Sequence, residues 1–162
     1  MLELITDLYQ GLAHLGPGSE ASTRQALALA EAAGLPSATP LQIADLGCGT
    51  GAATWVLAQA LPGTVTAIDQ LPAFLTALEA RRPSTGLLAA VETRAADFSS
   101  LPFPQESLDL LWAEGAIYNL GFAAGLAAWR PFLKPGGFLA VSELTWLTAQ
   151  RAAPLEAFWN AA

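Results

Sequence analysis

Between Leu41 and Ser142, short apolar runs alternate with stretches of helical spacing, and turn residues separate the two. Leu41–Leu46, Thr64–Ile68, Val91–Ala95, Leu108–Trp112 and Gly137–Ser142 read as strands. Ala52–Leu61, Pro72–Arg82 and Gly121–Phe132 read as helices, with Pro72 in a first turn where a missing N–H costs nothing. Strands separated by helices are joined by crossovers, which places them in a parallel sheet covered on both faces. The pattern predicts an α/β, doubly wound, mostly parallel sheet. Sheets of this kind bind ligands at the carboxyl ends of their strands, beside the point where strand order reverses.

Two helices precede the sheet. Leu2, Leu4, Ile5, Leu8 and Leu12 fit one helix over Met1–Leu15, broken at Gly16-Pro17-Gly18-Ser19. The second is capped by Ser19 or by Ser22, whose run to Gln25 fits a capping box, and it stops at Gly34. Pro154–Asn160 forms a last helix with Leu155, Phe158 and Trp159 along one side. The division expected is a helical segment over 1–36, a sheet core over 37–146 and a helical tail over 147–162, all in one domain.

Composition narrows the function. Hydrophobic residues make up 53 % and charged residues 13 %, the reverse of a disordered chain. A net charge of −7 repels a phosphate backbone or an anionic bilayer, so nucleic-acid binding is excluded from the expectations. One cysteine and one histidine leave no disulfide framework and no histidine-rich metal site. No basic leader precedes the first helix and no long apolar span occurs, so a cytoplasmic setting without membrane insertion is expected.

The chemistry concentrates in Ile43-Ala44-Asp45-Leu46-Gly47-Cys48-Gly49-Thr50-Gly51, which runs from a strand into a helix. Glycines at alternate positions permit a tight turn and clear side chains from the path of a ligand. Asp69 closes the next strand, eighteen residues after Gly51. An acid there accepts both hydroxyls of a ribose, so loop and acid together describe a site for an adenosine-containing cofactor. The glycines alone also satisfy a loose dinucleotide pattern. Asp45 argues against a pyrophosphate beside it and for a cationic sulfonium or amino group.

With these residues in view, the chain resembles the class I S-adenosylmethionine-dependent methyltransferases. The resemblance rests on the Asp45–Gly51 loop, Asp69, Ala96-Asp97-Phe98 with Leu101-Pro102-Phe103, Leu108–Trp112, and Leu133-Lys134-Pro135-Gly136-Gly137-Phe138. Gly16–Ser19 and Ser107–Phe122 further resemble a bacterial small-molecule subgroup related to the quinone-biosynthesis type. The resemblance implies a Rossmann-like fold, S-adenosylmethionine as cofactor with S-adenosylhomocysteine as product, and a small-molecule acceptor. It implies that Asp45, Gly47, Cys48, Gly49, Thr50 and Gly51 cradle the methionine part, with Asp45 near its amino group. Asp69 would hold the ribose diol, Gln70 and Leu71 would flank the adenine, and Asp97 and the Phe98 amide would meet the adenine edge. Glu114, Gly115 and Ala116 would line the sulfonium side, with Tyr118 and Asn119 reaching toward the acceptor. Glu114 and Tyr118 are the catalytic candidates, with His14 and Glu143 as further bases.

Plainer roles stand beside these. Asp69 can serve as a helix-start acid and Asp97 as a turn residue. Cys48 reads as a packed side chain, and His14 as the edge of a leucine-rich helix. A cofactor-binding core without turnover and a nicotinamide dehydrogenase are the alternative functions. The family sheet has two further strands, and only nineteen residues follow Glu143 here. The expectation is therefore a sheet lacking its last strands, an uncovered fifth strand and a homodimer that covers it.

Overall fold

A computed structural model describes residues 2–9 and 11–161. Five parallel strands form one sheet: β1 (Leu41–Leu46), β2 (Gly63–Asp69), β3 (Ala89–Ala95), β4 (Leu108–Glu114) and β5 (Leu133–Ser142). Their order is β3-β2-β1-β4-β5. β1 pairs with β2 from Leu41 opposite Gly63 to Leu46 opposite Ile68, and with β4 at Ile43–Leu110 through Asp45–Trp112. Strand order thus reverses between β1 and β4, and the crevice lies at their carboxyl ends.

Period-two alternation divides the core between the two faces. Ile43, Val65, Leu110 and Trp112 pack on one side with Trp55, Leu57 and Leu78. Ala44, Leu46, Ile68 and Leu111 pack on the other with Phe98, Ile117 and Trp129. The first side is covered by α2 (Glu20–Ala32), α3 (Ala52–Ala60) and α4 (Pro72–Ala80), the second by α5 (Phe122–Trp129). Trp129 anchors α5 by donating its indole N–H to the Phe98 carbonyl at 2.8 Å, while its ring meets Phe98 edge-on.

Several boundaries differ from the expected ones for local reasons. The first helix, α1 (Leu2–Tyr9), does not reach Leu15; a turn at Gly11, with Leu12 N–H bonded to the Tyr9 carbonyl, ends it. Met1 and Gln10 of the expected helix lie outside the described residues. In α2, Ser19 is the cap and accepts from the Ser22 N–H, so the capping box proposed at Ser22 is not used. The expected helix over Gly121–Phe132 stops as α5 at Trp129 and continues as a single tight turn, Arg130–Phe132. Pro131 has no N–H with which to extend the α-ladder. β5 begins at Leu133 rather than Gly137: Leu133 already pairs with Leu108, and the register then slips before Phe138 pairs with Leu110. β3 and β5 are the outer strands of the sheet described. A last helix, α6 (Ala153–Ala161), carries Leu155, Phe158 and Trp159 exposed.

Candidate active site

The loop from β1 to α3 turns through left-handed backbone, with φ of 68° at Gly47 and 54° at Gly49. A side chain on Gly47 would start 2.6 Å from the Ala116 methyl group, and one on Gly49 would start 2.6 Å from Leu15. Both positions therefore require glycine on conformational and steric grounds. Gly51, the N-cap of α3, faces Leu78 and Trp55 instead, so it belongs to the loop but not to the cavity wall.

At the tip of β2, Asp69 joins this loop directly. Its carboxylate accepts the Gly49 N–H at 2.9 Å and the Leu71 N–H at 2.9 Å. Burial raises the Asp69 pKa, and the amides of Leu71, Gly49 and Gln70 pull it back. Asp45 is more deeply set, only 1 % exposed, and accepts the Thr54 hydroxyl at 2.6 Å. Burial pushes the Asp45 carboxyl up to about 7 against that hydrogen bond, and the nearby Glu114 and Asp69 carboxylates raise it further. Burial also holds the Cys48 thiol well above its ordinary value, and its Sγ lies against the Gly49 carbonyl. It is a packed thiol, not a nucleophile.

These residues open onto one cavity of about 510 Å³. Gln70, Leu71, Phe74 and Phe98 line one part of it; Glu114, Gly115, Ala116, Tyr118 and Asn119 line another. Asp97 is not among the lining residues. It is exposed and accepts the Ser99 N–H at 2.8 Å, which lowers its pKa. Glu143 is also outside the lining. Glu114 is fixed from two sides: its Oε1 accepts the Thr23 hydroxyl and the Trp112 indole N–H, each at 2.8 Å.

The N-terminal segment brings the candidate base His14 to the wall, together with residues that sequence spacing did not indicate: Ile5, Tyr9, Leu15, Gly16 and Pro17. It is tied down where Thr50 Oγ1 donates to the Leu12 carbonyl at 2.8 Å and Arg81 Nη2 donates to the Gly11 carbonyl at 3.0 Å. Glycines at 11 and 16 are the signal that marks this stretch as strap rather than helix.

The donor set suits a cofactor with a ribose and a cationic end. Asp69 has a carboxylate at the rim, and Asp45 is a buried acid with a neutral hydroxyl as its hydrogen-bond partner. No lysine or arginine lines the cavity among the described residues. A pyrophosphate would face three carboxylates there, Asp45, Asp69 and Glu114, whereas an ammonium or sulfonium would be drawn in.

Fold and site define a nucleoside-cofactor-binding domain of the doubly wound class, with its ligand crevice at the β1–β4 reversal. Residues 43–137 match the model of a family described as a methyltransferase domain. A malonyl-[acyl-carrier protein] O-methyltransferase of Dechloromonas aromatica (strain RCB) is 32 % identical over 125 residues, 76 % of this chain and 44 % of that protein. A trans-aconitate 2-methyltransferase of Paracidovorax citrulli (strain AAC00-1) is 37 % identical over 111 residues, covering 66 % of this chain and 40 % of that protein. A solved S-adenosylmethionine-dependent methyltransferase from Mesorhizobium loti superimposes with a TM-score of 0.52 at 31 % identity, over 70 % of this chain and 51 % of that one. The chain belongs to this methyltransferase domain family, whose cofactor is S-adenosylmethionine. It spans less than half the length of the two curated relatives.

Proposed function

We propose that the protein transfers a methyl group from S-adenosylmethionine to a small organic acceptor, with residues 37–146 as the cofactor-binding core. The carrying observation is the Gly49–Asp69 hydrogen bond, which joins the glycine turn and the acid of the neighbouring strand in the cavity that holds buried Asp45. The name of the trans-aconitate 2-methyltransferase supports a small organic acceptor.

When bound, S-adenosylmethionine supplies a methyl group on a cationic sulfur. The residues of this chain hold and orient it. Asp45 takes the amino group, the main chain of Gly47, Cys48, Gly49 and Thr50 surrounds the methionine part, and Asp69 takes the ribose diol. Gln70, Leu71 and Phe98 enclose the adenine. Gly115, Glu114 and Tyr118 face the acceptor. Transfer of this kind disperses charge, so alignment and exclusion of water do most of the work.

Calorimetry tests the reading. S-adenosylhomocysteine is expected to bind and NAD is not; tight NAD binding without S-adenosylhomocysteine binding would reverse the assignment. Asp69→Ala should cut S-adenosylhomocysteine affinity at least tenfold, about 1.4 kcal/mol. The alternative reading is a core that binds the cofactor without turnover. Labelled-methyl transfer to a panel of small acceptors separates the two. A cytoplasmic homodimer accompanies this proposal, supported by the outer strand β5, the exposed apolar side of α6 and the lone Cys48.

A further inference from the structure

His14 is the single histidine of the chain and lines the cavity. Its Nδ1 lies 2.9 Å from the Gly16 carbonyl oxygen. A carbonyl only accepts, so Nδ1 carries the hydrogen, and in the neutral ring Nε2 keeps the free electron pair. Nε2 stands 3.7 Å, and Glu114 Oε2 3.9 Å, from the point where a side chain on Gly18 would begin. An imidazole base and a carboxylate oxygen thus come to the same spot beside Gly18, and both line the cavity. The Glu114 carboxylate is positioned there by Thr23 and Trp112, both neutral donors, so its charge is held but not cancelled. With no lysine or arginine in the cavity wall among the described residues, Glu114 makes the corner attractive to a cation and not to an anion.

The geometry points to the part of the cavity between His14 and Glu114 as the acceptor site, and to a protonated amine as the acceptor, held by Glu114 Oε2 and deprotonated by His14 Nε2. This rests on the methyltransferase reading above. An ammonium cannot attack until it sheds a proton. One N–H bond breaks, its electron pair stays on the amine nitrogen, and the proton goes to Nε2. The products are a neutral amine and an imidazolium, with total charge unchanged.

The probes are benzylamine, benzyl alcohol and benzoate, which share one skeleton and differ in charge. Calorimetry first measures S-adenosylhomocysteine binding; if there is none, the methyltransferase reading falls and this proposal falls with it. On the S-adenosylhomocysteine complex, benzylamine should bind at least tenfold more tightly than benzoate, with benzyl alcohol also weaker than the amine. That ratio should shrink below threefold in Glu114→Gln, and Thr23→Val should weaken benzylamine binding even if Glu114→Gln does not fold. Nitrogen NMR of the lone imidazole in the unsubstituted protein should show the Nδ1–H tautomer, and its Nε2 signal should move with benzylamine and not with benzoate. Benzoate or benzyl alcohol binding as well as the amine, no detectable probe binding, the opposite tautomer, or an unmoved Nε2 signal would each overturn the assignment.

Discussion

Asp45 carries the most chemistry per atom in this molecule. Its carboxyl titrates near pH 7 because burial penalises the charged form, and a bound ammonium would favour that form again. S-adenosylhomocysteine affinity should therefore fall as pH drops through about 7, with proton release on binding above the acid limit. Calorimetry in buffers of different ionisation enthalpy measures that release. Asp45→Asn should lose at least tenfold in affinity, about 1.4 kcal/mol, together with this pH dependence. Stability of the free protein runs the other way. A folded pKa of about 7 against an ordinary 3.8 means an extra proton bound in the folded state, so this contribution is present at acid pH and lost as pH rises toward 7. At most about 4 kcal/mol is involved, visible as a urea midpoint that moves with pH.

Asp45, Gly49 and Asp69 were legible in the sequence because each sits at a fixed offset from a strand end. The clamp on Glu114 was not legible. Thr23 lies 91 residues away, and only the packing of α2 across the sheet brings its hydroxyl there. Asp97 shows the converse: an acid at a promising offset whose carboxylate turns to its own Ser99 amide.

Among the elements, strands were read more faithfully than helix ends. The apolar runs of β1, β2 and β4 were readable because both faces of these strands are buried over consecutive residues. Helix ends depended on single residues, Gly11 at α1 and Pro131 at α5, whose effects outweigh apolar spacing. Gly63 gives the sharpest element-scale prediction. It opens β2 with φ of 125°, and a Cβ there would run into the backbone N and O of Leu41. Since no side chain can yield, Gly63→Ala should destabilise by about 3 kcal/mol or more, read from a urea midpoint. Gly11→Ala, which meets nothing within 4 Å, should stay within about 0.5 kcal/mol of the parent.

For the whole molecule, the apolar composition has two destinations. Most of it fills the two faces of the sheet; some lies outside, and Leu144, Leu147, Leu155, Phe158 and Trp159 gather part of this in the last stretch of the chain. None of the described helices is long and apolar enough to cross a membrane. If that outer surface joins two copies, Phe158→Ser with Trp159→Ser should shift the sedimenting mass from dimer to monomer. Added salt should favour the dimer by screening the net charge of −7. A monomeric mass at every concentration would discard the pairing.

The strap over the glycine turn is held by donors on Thr50 and Arg81, both bonded to main-chain carbonyls. If a guest in the crevice leaves past that wall, how long it stays depends on the latch, while how firmly it is held depends on the acids beneath. Residence and grip are thereby separable quantities. Removing the Arg81 guanidinium in Arg81→Ala should quicken arrival and departure of S-adenosylhomocysteine alike in stopped-flow traces, with little change in their ratio.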